Sequence, residues 1–286
     1  MTQKEIAIIT DSTCDVPSDL LNEHDIHVVP HTIVWGEQQL LDRVDIQPDE
    51  FYARIETDPV IPTTAQATEN QFLQTYRDVI ARGYREIVVI TLSNHLSGAI
   101  QSAQNAAKLV EIPVHVIDSL SVTMSLGWQV LAAARVRDMG GSLQDILQKI
   151  NYVRERVSLY VGMNTVEFLR RGGRIGEAVR LLGMMLNIKP VVRVNAKRGV
   201  VEEVGLARTY QKAVDIMYSG FFGTMDLTKK LYIAVQHGGA YEEAEKLVQR
   251  IREEFHPVEI LTSITGPVLG INTGPRALAI AGYYED

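Results

Sequence analysis

Three short stretches of the sequence combine hydroxyl and amide side chains and contain no lysine or arginine. They occupy residues 62–68 (PTTAQAT), 93–98 (SNHLSG) and 266–275 (GPVLGINTGP). Their candidate donors are Thr63, Thr64, Ser97, Asn272 and Thr273. Neutral donors can hold an anion of single charge, whereas a phosphate ester carries nearly two charges and usually recruits a cation. The three stretches therefore favour a carboxylate ligand over a nucleotide.

The position of these stretches in the chain suits anion binding. Loops at the carboxyl ends of parallel strands line the ligand crevice of an α/β sheet, and a helix N-terminus there offers unpaired N–H groups. A purely structural interpretation also fits, because Ser and Thr before helices are ordinary N-caps and Gly98 or Gly274 can serve turns alone. Three such stretches in one chain favour the ligand hypothesis.

The first half of the chain alternates β-branched runs with amphipathic segments. Strands are predicted at residues 6–10, 27–34, 86–92 and 114–117, and helices at 18–23, 48–57, 69–81, 98–110, 122–139 and 143–155. Strands that alternate with helices predict a mostly parallel sheet covered by helices on both faces.

The second half has a different pattern. Residues 189–205 (KPVVRVNAKRGVVEEVG) alternate around a turn at 195–199 and predict a hairpin. Further strands are predicted at residues 159–162, 231–236, 258–264 and 277–282, with helices at 210–217 and 241–255 and a glycine-rich loop at 266–275. We therefore predict an N-terminal α/β domain over residues 1–157 and a C-terminal α/β domain, with a mixed sheet, over 158–286.

Composition excludes several classes of protein. Hydrophobic residues make up 46% and charged residues 22% of the chain, as in an ordinary globular protein. The net charge of −7 argues against a nucleic-acid partner, and the single cysteine, Cys14, excludes an internal disulfide. We expect a cytoplasmic protein, because no apolar stretch is long enough to span a bilayer and the first residues leave no room for a signal peptide.

The familiar catalytic motifs are missing from the sequence. It contains no GxxxxGK[ST], GxGxxG, GxSxG or HExxH motif, and its seven histidines are scattered. We therefore expect no metal and no cofactor. One enzymatic alternative stays open, a small-molecule transferase or hydrolase that uses Ser97 with His95 or Asp118.

Six stretches in order along the chain resemble the DegV family of bacterial fatty-acid-binding proteins, which includes the FakB subunits of fatty-acid kinase. They are IAIITDSTCDVP, PTTAQAT, LSGAIQSAQNA, FLRRGGRI, LNIKPVV and GPVLGINTGP. The resemblance runs over almost the full length. It implies two α/β domains with a long-chain fatty acid between them, the acyl chain buried and the carboxylate near the surface.

The resemblance also implies a role without catalysis. The protein would present the bound carboxylate to a separate fatty-acid kinase, which forms an acyl phosphate for phospholipid synthesis. By motif, Thr64 and Ser97 would hydrogen-bond the carboxylate. The other candidate ligand-site residues are Thr63, Gly98, Asn272, Thr273 and Arg208, the last because it resembles a family position near the carboxylate. A lipid sensor or sequestering protein without a kinase partner is the alternative, since the kinase is another chain.

Two further groups of residues have more than one interpretation. Arg170, Arg171 and Arg174 surround two glycines, and they either offset a helix dipole or form a basic patch for the kinase or for acidic lipid headgroups. Met184 and Met185 are interpreted as core residues of an apolar helical stretch or, if a pocket runs through that helix, as contacts for a flexible alkyl tail.

The chain departs from the family pattern at several positions. Asn272 stands where the family commonly has histidine, and it can donate a hydrogen bond but cannot carry charge. Ala65 replaces a serine, Ala99 and Ile100 replace Thr-Tyr, and Arg276 replaces a glycine. Arg276 is therefore expected to supply a cation near the ligand.

Overall fold

A computed structural model describes residues 5–178, 183 and 187–286 of the chain. Met184 and Met185 lie outside the described residues. The strands are β1 (Ile6–Asp11), β2 (Ile26–Val29), β3 (Thr32–Trp35), β4 (Gln38–Leu41), β5 (Thr63–Ala65), β6 (Glu86–Thr91), β7 (Val114–Asp118), β8 (Ser158–Gly162), β9 (Lys189–Val194), β10 (Val201–Ala207), β11 (Lys230–His237), β12 (Glu259–Ile264) and β13 (Leu278–Glu285). The α-helices are α1 (Ser18–Glu23), α2 (Pro48–Ile55), α3 (Glu69–Ala81), α4 (Ala99–Ala107), α5 (Met124–Asp138), α6 (Leu143–Arg156), α7 (Glu167–Gly172), α8 (Tyr210–Phe222), α9 (Tyr241–Phe255) and α10 (Pro267–Thr273).

Sheet A is parallel and has the strand order β2-β1-β6-β7. Every residue of β1 is buried, as expected for a parallel strand covered on both faces. The prediction of a mostly parallel, helix-covered sheet is therefore confirmed.

The prediction of one strand over residues 27–34 is wrong. The segment divides into β2, which belongs to sheet A, and β3, which belongs to an antiparallel sheet B with the order β4-β3-β5. Pro30 lies at the break, where its missing N–H cannot continue the ladder. The division brings His31 and β5 to the carboxyl end of sheet A.

Sheet C has the order β10-β9-β8-β13-β11-β12 and is mixed, because β11 and β12 run parallel while its other pairs are antiparallel. The predicted hairpin is confirmed, with Val201 opposite Val194. The predicted domain boundary falls between α6 and β8 and stays a prediction.

Helix α5 packs between sheets A and C. Residues 124–134 are all buried, and a helix that is apolar all round must be enclosed. The Trp128 indole packs against Tyr232 and Tyr283 of sheet C, and its Nε1 donates to the Ala281 carbonyl at 3.3 Å. The helix also contacts β1, so both sheets share one core.

A buried ion pair joins four segments above this core. Asp15 is 1% exposed, and its Oδ1 accepts from Arg43 Nη2 at 2.6 Å and from the Gly266 N–H at 2.9 Å. Its Oδ2 accepts from Gln236 Nε2 at 3.2 Å. Arg43 Nη2 also donates to the Ile264 carbonyl at 3.1 Å. These bonds connect the loops after β1 and β4 to β11 and to the start of α10.

We predict that Arg43→Met lowers the free energy of unfolding by about 3 kcal/mol or more, because it leaves a buried carboxylate without its cation. Urea denaturation at pH 7, followed by circular dichroism, measures the change. Lys229→Met is the matched control: Lys229 pairs with the exposed Asp286 at 2.5 Å, and a surface pair contributes less than about 1 kcal/mol. A loss for Arg43→Met no larger than the control's would contradict the prediction.

Asp42 generates a prediction about pH. It is 1% exposed, its Oδ2 accepts from Ser12 Oγ at 2.6 Å, and burial raises its pKa to about 6. The folded protein thus binds this proton more tightly than the unfolded chain does. Asp42 therefore stabilises the fold below about pH 4, and this contribution is lost as the pH rises through about 6.

We expect the stability of wild type minus that of Asp42→Asn to fall by up to about 3 kcal/mol between pH 4 and pH 8. Urea denaturation across that range measures it. Asp226→Asn is the control, because hydrogen bonds from Thr228 hold the pKa of the exposed Asp226 carboxyl below its usual range, so its difference from wild type should change little between pH 4 and pH 8. A difference that is flat or rising for Asp42→Asn would be inconsistent with a raised pKa.

Candidate ligand-binding site

A cavity of about 370 Å³ lies where the carboxyl end of β6, sheet B and one face of sheet C meet. Most of its wall is aliphatic. The apolar lining residues are Leu92, Leu96, Val122, Leu159, Val161, Met163, Leu169, Val192, Val194, Val201, Val268 and Leu269. The residues from sheet C are all buried, so the cavity extends inward from the loops to the core.

Polar side chains gather on the other part of the wall. They are His31, Thr64, Gln66, Asn94, His95, Ser97, Thr123, Arg174, Asn272 and Thr273. The cavity thus brings together Thr64, Ser97, Gly98, Asn272 and Thr273, which the sequence places in three separate stretches. None of the polar lining residues comes from the strands of sheet C, which contribute only aliphatic side chains, and a wall divided in this way suits an amphiphile.

Ser97 lies in the loop that joins β6 to α4. The Ser97 N–H donates to the Ser93 carbonyl at 3.2 Å, and its Oγ accepts from the Ala99 N–H at 3.3 Å. The hydroxyl therefore assists the helix start, as the structural interpretation expects, and keeps its own proton for another acceptor.

Thr64 lies on β5, opposite Ile33 of β3. Its neighbour Thr63 does not line the main cavity. It lines a smaller cleft of about 80 Å³, which shares Thr64, Arg174 and Asn272 with the main cavity. Both threonines therefore line the cleft, and of the two only Thr64 also lines the main cavity.

The expectation of a loop at residues 266–275 is wrong, because Pro267–Thr273 forms α10. Proline at the first turn is compatible with a helix. The backbone N–H groups of Leu269 and Gly270 donate within the helix instead of facing a ligand. Asn272 Nδ2 donates to the Val268 carbonyl at 2.9 Å, and its Oδ1 is buried without a hydrogen-bond partner among the described residues.

The arginines occupy different positions. Helix α7 ends at Gly172 and is capped by Gly173 in the left-handed conformation, so the dipole interpretation fits the local geometry. Arg171 pairs with Glu167, and Arg174 Nη1 donates to the Gly172 carbonyl at 3.0 Å. Arg170 is exposed and lines neither the main cavity nor the smaller cleft.

Two expected cations lie outside the cavity wall. Arg208 is exposed, between the end of β10 and the start of α8, and is not among the residues that line the cavity. Arg276 pairs with Glu243 at 2.5 Å and lies over the Tyr210 ring. The expectation that Arg276 supplies a cation near the ligand is therefore not supported by its position.

The alternative nucleophilic arrangement is not formed in this geometry. Asp118 accepts from the Asn94 N–H at 3.3 Å and from the Leu120 N–H at 2.8 Å. Within the described residues, Ser97 makes no hydrogen bond to His95 or to Asp118. Among the described residues, neither His95 nor Asp118 is therefore in place to take the Ser97 proton.

Two buried polar residues of the cavity wall were not found from the sequence. His31 lines the cavity and is 2% exposed. Thr123 lines it with φ of 54°, a value unusual for a β-branched residue and one that recurs at functional sites. The pairing of His31 with the buried Asp11, at the end of β1, could have identified it, but the two residues are twenty positions apart in the sequence.

Neither a metal centre nor a membrane span is found in the part of the chain that the structure describes. Within residues 5–178, 183 and 187–286, no three His, Cys, Asp or Glu side chains are grouped to hold a metal ion. None of the described helices combines the length and the apolar character that crossing a bilayer requires.

Comparison with known proteins agrees with this architecture. The model for uncharacterised proteins of the DegV family matches residues 5–285. A DegV domain-containing protein of Staphylococcus aureus (strain N315) is 32% identical over 276 residues, covering 96% of each chain. Protein DegV of Bacillus subtilis (strain 168) is 28% identical over 282 residues, covering 98% of this chain and 99% of that protein.

Two solved structures share the fold over nearly the whole chain. A fatty-acid-binding DegV family protein from Thermus thermophilus has a TM-score of 0.89 and 29% identity, covering 98% of this chain and 100% of that one. DegV of Bacillus subtilis, described as a fatty acid binding protein, has a TM-score of 0.89 and 26% identity, covering 98% of this chain and 99% of that one. The chain therefore belongs to the DegV family.

Proposed function

We propose that the protein binds one long-chain fatty acid in the cavity, with its carboxylate at Thr64 and Ser97. The observation that carries the proposal is the cavity itself, which joins an aliphatic wall to one polar end. The fatty-acid-binding proteins of Thermus thermophilus and Bacillus subtilis, which share the fold, support the same ligand class.

The two ends of the ligand would contribute differently to the binding free energy. Burying about 14 methylenes at about 0.8 kcal/mol each is worth on the order of 11 kcal/mol before the costs of ordering the chain. A hydrogen bond to a charged group contributes about 1.5–3 kcal/mol. The acyl chain therefore sets the affinity, and Thr64 and Ser97 set the position of the carboxylate.

The cavity also supports the proposal of two domains with the ligand between them. Thr64 and Ser97 belong to the predicted domain 1–157, whereas Val192 and Val194 belong to the predicted domain 158–286. Because both parts supply residues to the cavity wall, a ligand in the cavity would contact both.

We further propose that the protein is a cytoplasmic carrier and that a separate fatty-acid kinase phosphorylates the bound carboxylate. The polar end of the cavity adjoins the smaller cleft, and both are lined by Arg174. Arg171 lies in the same cleft, and Arg170 is exposed nearby. These three arginines would form the docking patch for the kinase, next to the carboxylate that it modifies.

Native mass spectrometry of the purified protein is the first test. We expect a stoichiometric mass in the range of a long-chain fatty acid, identified after denaturing extraction, or uptake of one equivalent of added palmitic acid. A protein that is empty and takes up neither palmitic nor oleic acid would overturn the proposed ligand and leave the fold assignment intact.

We predict that Ser97→Ala and Thr64→Val reduce acyl phosphate formation by a bacterial fatty-acid kinase tenfold or more, while fatty-acid affinity falls less. The lost hydroxyl positions the carboxylate, but the acyl chain still supplies most of the binding free energy. Kinase assays with saturating carrier, beside binding titrations, measure the two effects separately.

Thr75→Val is the matched control for these variants. The Thr75 hydroxyl donates to the Gln71 carbonyl of its own helix at 3.1 Å, so its removal should change neither binding nor phosphorylation. Equal losses of binding and phosphorylation in Ser97→Ala would contradict the division between affinity and positioning.

A further inference from the structure

His31 is a buried titratable residue on the wall of the cavity. Its backbone is fixed on both sides, since its N–H donates to Ser12 Oγ at 3.1 Å and its carbonyl accepts from the Asp42 N–H at 2.9 Å. The residue is 2% exposed, and its side chain lines the cavity together with Thr64 and Gln66. The imidazole is therefore held at the polar end of the site.

The carboxylate of Asp11 lies behind this imidazole. Asp11 is completely buried, and its Oδ1 lies 3.5 Å from His31 Nε2. The carboxylate also accepts from the Leu92 N–H at 2.8 Å and from the Thr13 N–H at 3.0 Å. Burial opposes ionisation, but His31 and these donors together hold the pKa of Asp11 below its usual range. An anion thus faces one edge of the His31 ring.

The two ring nitrogens of His31 have different surroundings. Its Nε2 is buried, and among the described residues it has no hydrogen-bond partner. That atom lies 3.5 Å from Asp11 Oδ1, within ion-pair distance but long for a hydrogen bond, so it faces the protein's own carboxylate. With Asp11 at Nε2, the other ring nitrogen, Nδ1, lies on the opposite edge of the ring.

Two other charged side chains near His31, Asp42 and Arg43, already have partners within the protein. Asp42 accepts from Ser12 at 2.6 Å, and Arg43 pairs with Asp15 at 2.6 Å. Arg174, the permanent cation among the described lining residues, is exposed at the mouth, where solvent screens it. Hydroxyl and amide donors can hold a carboxylate, and a charged donor strengthens the contact. Of the two histidines in the cavity wall, His95 is exposed and His31 is buried.

We propose that His31, backed by Asp11, is a third partner of the ligand's carboxylate and donates to it from Nδ1. The assignment rests on the proposed fatty-acid function and deepens it. His31 would lie between two carboxylates, one from the protein and one from the ligand, and would select a fatty acid over an uncharged lipid of the same length.

The test compares dodecanoic acid with dodecan-1-ol, which have the same chain and different head groups. Isothermal titration calorimetry is run on wild type, His31→Leu and His31→Gln. We expect His31→Leu to weaken dodecanoic acid binding about tenfold or more and to change dodecan-1-ol binding less than about twofold, because a charged hydrogen bond is lost with only one ligand. His31→Gln keeps a donor without the charge and should fall between the two.

His115→Leu is the matched control. His115 also pairs with a carboxylate, Glu86, at 2.8 Å, but it lies near the start of β7, away from the cavity. This variant should bind both ligands as wild type does.

A second measurement follows the His31 ring nitrogens in the wild-type protein. In wild type labelled with 15N-histidine, dodecanoic acid should move the His31 ring nitrogens toward the doubly protonated shift, and dodecan-1-ol should not. The His31 signals are identified by their loss in His31→Gln.

The outcomes separate the two hypotheses. If wild type binds neither ligand, the proposed fatty-acid function fails, and this assignment fails with it. If wild type binds dodecanoic acid, but the ratio of the two affinities is unchanged in His31→Leu and the ring shifts do not move, the assignment of His31 alone is overturned.

Discussion

The Asp15–Arg43 ion pair is the interaction on which the geometry of the site depends. A buried carboxylate is costly unless charged and polar donors surround it, and Asp15 obtains its donors from Arg43, Gln236 and the Gly266 N–H. Those donors come from segments far apart in sequence. Satisfying one charge therefore fixes the start of α10 relative to the end of β1, and α10 is part of the cavity wall.

The same edge of sheet A concentrates negative charge. Asp11, Asp15 and Asp42 are all buried there, and a ligand carboxylate would add another anion. The structure limits the repulsion by giving each aspartate its own donors and by presenting hydroxyls and amides to the cavity. This arrangement agrees with the uncharged loop at the carboxyl end of β6. If His31 supplies the positive charge, as proposed, the loops need only supply hydroxyl and amide donors.

The sequence predicted those parts of the fold that depend on local periodicity. Helices α1 and α3 begin and end at the predicted residues. Thr64 and Ser97, which come from separate stretches, line one cavity, and their contact with a ligand stays a prediction. The errors arose where distant partners decide. Pro30 divides a run that looks like one strand, and residues 266–275 look like a glycine-rich loop although α10 packs on α7. His31 was missed because its partner, Asp11, lies at the end of β1, twenty residues earlier in the sequence.

Two glycines show how closely the site's segments must approach one another. A Cβ at Gly98 would overlap the Gln66 amide, and a Cβ at Gly172 would overlap the Asn272 side chain. Gly98 follows Ser97, and Gly172 precedes the cap of α7. Each glycine therefore allows two segments of the site to approach each other closely. A larger residue at either position would displace Gln66 or Asn272, both of which line the cavity, and a hydrogen bond to a ligand carboxylate would tolerate little displacement. The glycines in both motifs are thus required by the spacing of the donors, beyond any role in turns.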